Sequence, residues 1–167
     1  IAPALGQPVV VENRANTFIA ADAAIKAPHD GYTLLMVGST LWILPLLRPQ
    51  QYDVARDFAP ASQIEQSSNI LAVNPGVAAK SVKELIGLAK ARPGVLNYGT
   101  ASIGSTSHLA MELFNHSAGI SITNVPYKGA AQAVAGAVAG EVHVYISDVG
   151  TLMPQIKAGK LRALAVT

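Results

Sequence analysis

Residues Asn97 to Leu113 read NYGTASIGSTSHLAMEL, and the segment passes from strand to loop to helix without a break. Val95, Leu96 and Tyr98 give a strand-like entry, and the residues from Gly99 to Ser107 are mostly small or hydroxylated. Leu109, Met111, Leu113 and Phe114 then begin an amphipathic helix. A helix that starts on such a loop exposes its first-turn N–H groups, where the aligned peptide dipoles place about half a positive charge. That terminus is built to receive an anion, with Ser and Thr hydroxyls as further donors and small side chains that let a ligand approach the backbone. The loop carries neither Lys nor Arg. It predicts an acidic ligand held by hydrogen bonds rather than by a fixed countercharge, which suits reversible capture.

Outward from this segment, strand and helix patterns alternate. Upstream, Pro8 to Glu12 is a short β-branched run, Phe18 to Lys26 an Ala-rich helix, and Tyr32 to Val37 a near-continuously apolar strand of the kind covered on both faces. Leu41 to Leu47 contains Pro45 and reads as a loop or short helix carrying Trp42, while Asp53 to Phe58 reads as a surface turn. Asn69 to Val73 is a strand ended by Asn74-Pro75-Gly76, the expected domain boundary. Ser81 with Glu84 forms a capping box opening a helix to Ala91. Downstream come a helix at His108 to Ala118, a strand at Ile122 to Val125, a helix at Ala130 to Ala139 and a strand at Val142 to Ile146. A helix at Leu152 to Ala158 and a strand at Leu161 to Val166 follow. The alternation predicts an α/β fold with largely parallel sheets, in which ligands bind at the carboxyl ends of strands.

Composition restricts the class further. The chain has 167 residues, 50% hydrophobic and 13% charged, which suits one or two packed domains rather than a disordered segment. Its net charge of +2 is spread along the sequence with no basic run, so no nucleic-acid footprint is read. The longest apolar candidate, Ala130 to Ala139, falls short of the ~18 residues that span a bilayer. The absence of cysteine removes disulfides and thiolate chemistry, and fits cytosol and bacterial periplasm equally. Ile1 in place of Met, and a final strand without a following turn, read as a fragment of a longer architecture.

Several motifs bear on chemistry. His29, His108, His116 and His143 lack metal-ligand spacing, and GxxxxGK[ST] is not present, because Ser105 stands where the lysine belongs; no cofactor is called. Gly104-Ser105-Thr106-Ser107 occupies a strand-to-helix turn without the second glycine of GxSxG, and Ser105 as a helix cap is favoured over a Ser105–His108 nucleophile and base pair. Tyr127 and Lys128, on the loop between Pro126 and Gly129, either line a cleft or form an ordinary turn. Asp148 either caps the next helix or accepts from a ligand, and Ser39-Thr40 holds the same strand-end position in the first half.

At these residues the chain resembles the periplasmic solute receptors of tripartite tricarboxylate transporters, the Bug family. The resemblance rests on segments in family order over nearly the whole chain: Ala4 to Arg14, Lys26 to Leu35, Asp57 to Pro60, Ala79 to Leu85, Leu96 to Tyr98, Gly104 to Leu109, Val125 to Gly129 and Ile156 to Thr167. It implies a type II periplasmic-binding-protein-like fold: two α/β domains with a ligand cleft between them, joined by crossing strands at Leu71 to Pro75 and Leu161 to Thr167. Residues 1–73 would be part of domain 1, 74–162 domain 2, and 163–167 the start of the return crossover. It further implies secretion to the periplasm, no catalysis, and delivery of a small carboxylate to membrane transporter subunits. For some relatives it also implies signalling to a sensor kinase. Ser39 and Thr40 would contact the ligand from the first domain, and Thr100, Ser102, Ser105, Thr106 and Ser107 would hold its distal carboxylate from the second. Asp148 would line the cleft near the ligand's middle, and His108 would give structural support at the helix start.

The chain departs from the family pattern in two places. It begins after the family's first strand and Gly-rich carboxylate loop, and Asn13-Arg14 is followed by Ala15-Asn16-Thr17-Phe18 instead of a Gly-rich stretch. The 167-residue polypeptide by itself is therefore expected to bind ligand poorly. Two other classes are compatible with parts of the pattern: the effector domain of a transcription regulator, which shares this fold, and a small hydrolase, which would require a third orienting residue beside Ser105 and His108. Di- and tricarboxylates, acidic amino acids and aromatic acids all suit a Ser/Thr-lined site, and Trp42 could stack on an aromatic ligand or serve the core or a hinge.

Overall fold

Pro45 interrupts an apolar run, yet the run is helical, and one tertiary hydrogen bond satisfies the carbonyl that the proline leaves without a donor. In the computed structural model, which describes residues 2–14, 16–66 and 68–167, Thr40–Leu47 forms a helix with Pro45 inside it. Proline has no N–H to offer the carbonyl four residues earlier, that of Leu41. Tyr52 supplies the missing donor: its Oη donates to Leu41 O at 2.8 Å, in a buried position.

The chain divides into two compact units, residues 1–60 and 61–167. In the first, the helices are α1 (Ala2–Leu5), α2 (Thr17–Lys26), α3 (Thr40–Leu47) and α4 (Val54–Asp57). Asn16 caps α2 by accepting from Ile19 N, and Asp53 caps α4 by accepting from Ala55 N and Arg56 N. A small core gathers Ala21, Leu41 and Tyr52, with Phe18, Leu35, Val37 and Phe58 against it. The two strands expected here, Pro8 to Glu12 and Tyr32 to Val37, are not in a hydrogen-bonded ladder among the described residues. Leu35 and Val37 face the small core, whereas Tyr32, Leu34 and Met36 are 93%, 75% and 77% exposed. The run read as covered on both faces is covered on one, because apolar composition reports what a segment can bury and not what stands beside it. Ala15, within the departure that follows Arg14, lies outside the described residues.

The second unit contains β1 (Asn69–Val73), α5 (Val82–Ala91), β2 (Asn97–Thr100), α6 (Thr106–Ala118), β3 (Thr123–Pro126), α7 (Ala130–Ala139), β4 (Val144–Asp148), α8 (Val149–Lys157) and β5 (Arg162–Val166). The sheet order is β3-β2-β4-β1-β5. β2 is parallel to both β3 and β4, as expected, while β1 runs antiparallel to β4 and β5. The carboxyl ends of β2, β3 and β4 therefore share one edge, where the start of β1 also stands, Asn69 opposite Asp148.

Both faces of the sheet are covered, which is why β1 and β4 read as continuous apolar runs. One face packs Leu71, Val73, Val144 and Ile146 with Leu85 and Ala89 of α5 and Met111 of α6. The other packs Ile70, Ala72 and Tyr145 with Ala133, Val134 and Ala137 of α7 and Leu152 of α8. At α5, Ser81 Oγ accepts from Glu84 N at 3.2 Å, as the capping box requires. The return bond goes one residue further upstream, with Lys80 N donating to Glu84 Oε2 at 2.7 Å.

Candidate functional site

The loop between β2 and α6 lies at the carboxyl edge, and it is folded by its own polar groups. Gly104 takes φ +81°, a conformation that a side chain would resist, and turns the chain into the helix. Ser105 caps α6: its Oγ accepts from His108 N at 3.4 Å, donates to Ser102 O at 2.7 Å and lies 2.9 Å from Ser107 Oγ. Ser107 Oγ in turn accepts from Ala101 N at 3.2 Å. Thr100 is fully buried and donates through Oγ1 to Asn124 Oδ1 at 3.0 Å, tying β2 to β3. Three of the singled-out hydroxyls, those of Thr100, Ser105 and Ser107, are thus buried and engaged within the fold, while Ser102 and Thr106 are exposed. The arrangement is a pre-shaped cradle whose outer surface is Ser102, Ile103 and Thr106.

His108 supports this shape. Its Nδ1 accepts from Gly104 N at 3.2 Å, which puts the proton of a neutral ring on Nε2. The same bond separates His108 from nucleophile chemistry, because Nδ1 faces a backbone amide while the Ser105 hydroxyl is directed to Ser102 O. A general base must lie within hydrogen-bonding reach of the proton it abstracts.

Asp148 ends β4 and caps α8. Its Oδ1 accepts from Thr151 N at 2.7 Å and its Oδ2 accepts from Thr151 Oγ1 at 2.6 Å and Ser147 Oγ at 3.2 Å. Partial burial pushes the carboxyl up, and the bonds from Thr151, Ser147 and its own backbone together outweigh it, so the group sits below the ordinary aspartate range. Capping and facing the edge are compatible, since Asp148 stays half-buried at the strand end.

Tyr127 and Lys128 part company. Tyr127 N donates to Thr100 O at 2.8 Å, fixing this loop beside the cradle, but its side chain runs back along α7 to donate to Glu141 Oε2 at 3.1 Å. Gly136 makes the path possible, since a Cβ there would meet Tyr127 Oη at 2.2 Å. Lys128 is exposed beside the N-terminus of α7, which Gly129 caps without a side chain. In the first unit, Ser39 and Thr40 are half-buried at the start of α3, where Ser39 O accepts from Trp42 N and Ile43 N, and Trp42 is 51% exposed. Sequence reasoning missed Asn124 and Ser147. Both occupy strand positions whose polarity interrupts an apolar pattern, and that was the available signal.

The second unit is a mixed α/β sheet whose parallel strands β2, β3 and β4 bring a small-residue cradle to their carboxyl edge, the place where such sheets bind ligands. The chain belongs to the tripartite tricarboxylate transporter receptor family, whose model matches residues 1–167. It is 38% identical to the protein BugT of Bordetella pertussis over 97% of this chain and 51% of that one. Among solved structures it resembles R. palustris Rpa4515 with adipate, at TM-score 0.89 and 38% identity, covering 99% of this chain and 57% of that one. It also resembles MatC from Rhodopseudomonas palustris with bound malate, at TM-score 0.89 and 25% identity, with the same coverages. The fold class is accordingly that of the two-domain periplasmic binding proteins, and the family comprises periplasmic receptors. The chain spans about half the length of the curated relatives it matches.

Proposed function

We propose that this chain forms part of an extracytoplasmic receptor that captures a small carboxylate and delivers it to a tripartite tricarboxylate-type membrane transporter. The observation that carries the reading is the family match over residues 1–167. The pre-folded cradle at the carboxyl edge supports it, and so do the adipate and malate held by two structural relatives. In this reading Ser102, Thr106 and the adjoining backbone amides meet the distal carboxylate. Thr100, Ser105, Ser107 and His108 hold the cradle in shape, and Asp148 borders the ligand's middle. The adjacent antiparallel strands β1 and β5 serve as the two segments that cross between domains. Function is then binding without reorganisation of the loop, which reduces the ordering cost of capture.

The test is calorimetric titration of the full-length receptor with malate, adipate, citrate and glutamate. Saturable one-to-one binding of at least one, weakened by S102A or T106A, is expected. Failure of all four to bind would overturn the carboxylate reading.

A further inference from the structure

At the opposite edge of the same sheet, away from the cradle, the second unit contains a cavity that the cradle does not use. β1 ends beside the start of β4, with Val73 opposite Val144, and β2 starts in register with them, Tyr98 opposite Val144. The segments that enter and leave these strand ends therefore meet: Gly76 to Ala78 after β1, Val95 and Leu96 before β2, and His143 before β4. With Leu88 and Arg92 at the end of α5 they bound a cavity of about 210 Å³. Its apolar walls come from Val77, Leu88, Val95 and Leu96, and the polar side chains of the lining are those of Arg92 and His143. Val77 and Leu96 are buried, whereas Val95 is 57% exposed, an apolar side chain that the core leaves open at this place.

Both polar groups are donors with capacity to spare. Arg92 is exposed, and its guanidinium makes no hydrogen bond or ion pair among the described residues. A cation at a helix C-terminus is favourable in itself, which accounts for Arg92 but not for the apolar walls or for His143. Asn97 N donates to His143 Nδ1 at 3.2 Å, which puts the proton of a neutral ring on Nε2, and Asn97 Oδ1, 2.6 Å from Nδ1, is an acceptor for a doubly protonated one. Nε2 carries a proton in either form and has no partner among the described residues. The walls are held from behind. Arg162 Nη1 donates to Val77 O at 3.3 Å and to Ala79 O at 3.1 Å, and Asn74 Oδ1 accepts from Gly76 N at 2.9 Å. The carbonyls of Leu88, Arg92, Leu96 and His143 are taken as well, by Arg92 N, Val95 N, Thr123 N and Asn74 N. An anion entering here meets donors and few bare acceptors.

We propose that this cavity is a second binding site, for a small aromatic monocarboxylate. The ring lies against Val77, Val95 and Leu96, and the carboxylate accepts from the Arg92 guanidinium and His143 Nε2. Size favours a single ring: an apolar cavity of about 150 Å³ holds benzene. The volume of about 210 Å³ then admits one ring with one carboxylate. Charge-assisted bonds to Arg92 select the anion over a neutral ring of the same shape, and walls already fixed reduce the ordering cost of binding. The site lies at the other edge from the cradle and does not depend on the carboxylate-receptor reading.

The probe is benzoate, titrated into the full-length receptor and followed by amide chemical shifts, with benzamide as the neutral isostere and acetate as the charge without a ring. Saturable shifts at Val77, Leu96 and His143 are expected with millimolar benzoate and with neither control. R92Q removes the charge, and V95E sets a carboxylate at the rim; each should weaken benzoate binding about tenfold or more. Both positions are exposed, so the melting temperature of the free protein should stay at the wild-type value. Absence of shifts, or shifts confined to residues 100–107, would overturn the inference, the latter because benzoate would then sit at the cradle. So would a response to benzamide equal to that to benzoate, or unchanged affinity in R92Q and V95E. None of these outcomes bears on malate or adipate at the cradle, so the receptor reading stands or falls separately.

Discussion

Leu41 owes its helical carbonyl partner to a residue outside its helix. Because Pro45 cannot donate, Tyr52 Oη does so from a buried position, and removing that hydroxyl leaves an unpaired acceptor. Y52F is expected to destabilise the first unit by about 1 kcal/mol in chemical denaturation followed by the fluorescence of Trp42, the chain's one tryptophan. Asp148 allows a pH prediction. Its folded carboxyl lies below the ordinary value of about 3.9, so its contribution is fully present above that pH and is lost as pH falls through the lowered folded value. D148A should cost about 1 kcal/mol at neutral pH through loss of the α8 cap, and the gap to wild type should narrow below about pH 4. A constant gap down to pH 2, measured by denaturant titration at each pH, would contradict a role for the charge.

Among the elements, α7 shows how a helix and a side chain fix each other. The bounds read from sequence, Ala130 to Ala139, coincide with the helix, because an Ala-rich run between Gly129 and Gly140 leaves little choice. The use of Gly136 was not readable: it lies in the middle of that helix, where glycine is a poor choice, and the Tyr127 ring fills the space. G136A is expected to destabilise the second unit by about 1–3 kcal/mol, since the added methyl displaces the ring and breaks the bond to Glu141. In a Y127A background most of that cost should vanish, measured as a double-mutant cycle of thermal unfolding. Similarly, the capping motif at α5 located the helix start from Ser81 and Glu84, while the choice of Lys80 N as Glu84's donor depended on how the preceding loop approaches.

At the scale of the molecule, the two units differ in how much they bury. The second encloses a sheet between two helical layers, whereas the first relies on the small cluster around Ala21, Leu41 and Tyr52. Hydrogen exchange should therefore protect the amides of β1 and β4 longest and those of the extended residues 8–12 and 32–37 least. Comparable protection across both sets would show that the first unit is stabilised by more than these contacts. For the full-length receptor, malate or adipate at about 100 times its dissociation constant should add close to 2.7 kcal/mol of stability, seen as a rise in melting temperature.

Although α4 reads from sequence only as a surface turn, the amino-acid sequence by itself determined the α/β class, the placement of helices α2 and α5 to α8, and the presence of a hydroxyl-rich helix entry after β2. Each of these follows from local periodicity, capping residues and glycine positions, which act over a few neighbouring residues. Only the tertiary structure decided that β1 runs against its neighbours, that residues 32–37 cover one face rather than two, and that Tyr127 points away from the cradle. It also decided which hydroxyls build the cradle and which face outward. Strand direction and hydroxyl partners depend on residues far apart in the chain, such as Thr100 with Asn124 and Asn69 with Thr167, and no local pattern encodes those meetings.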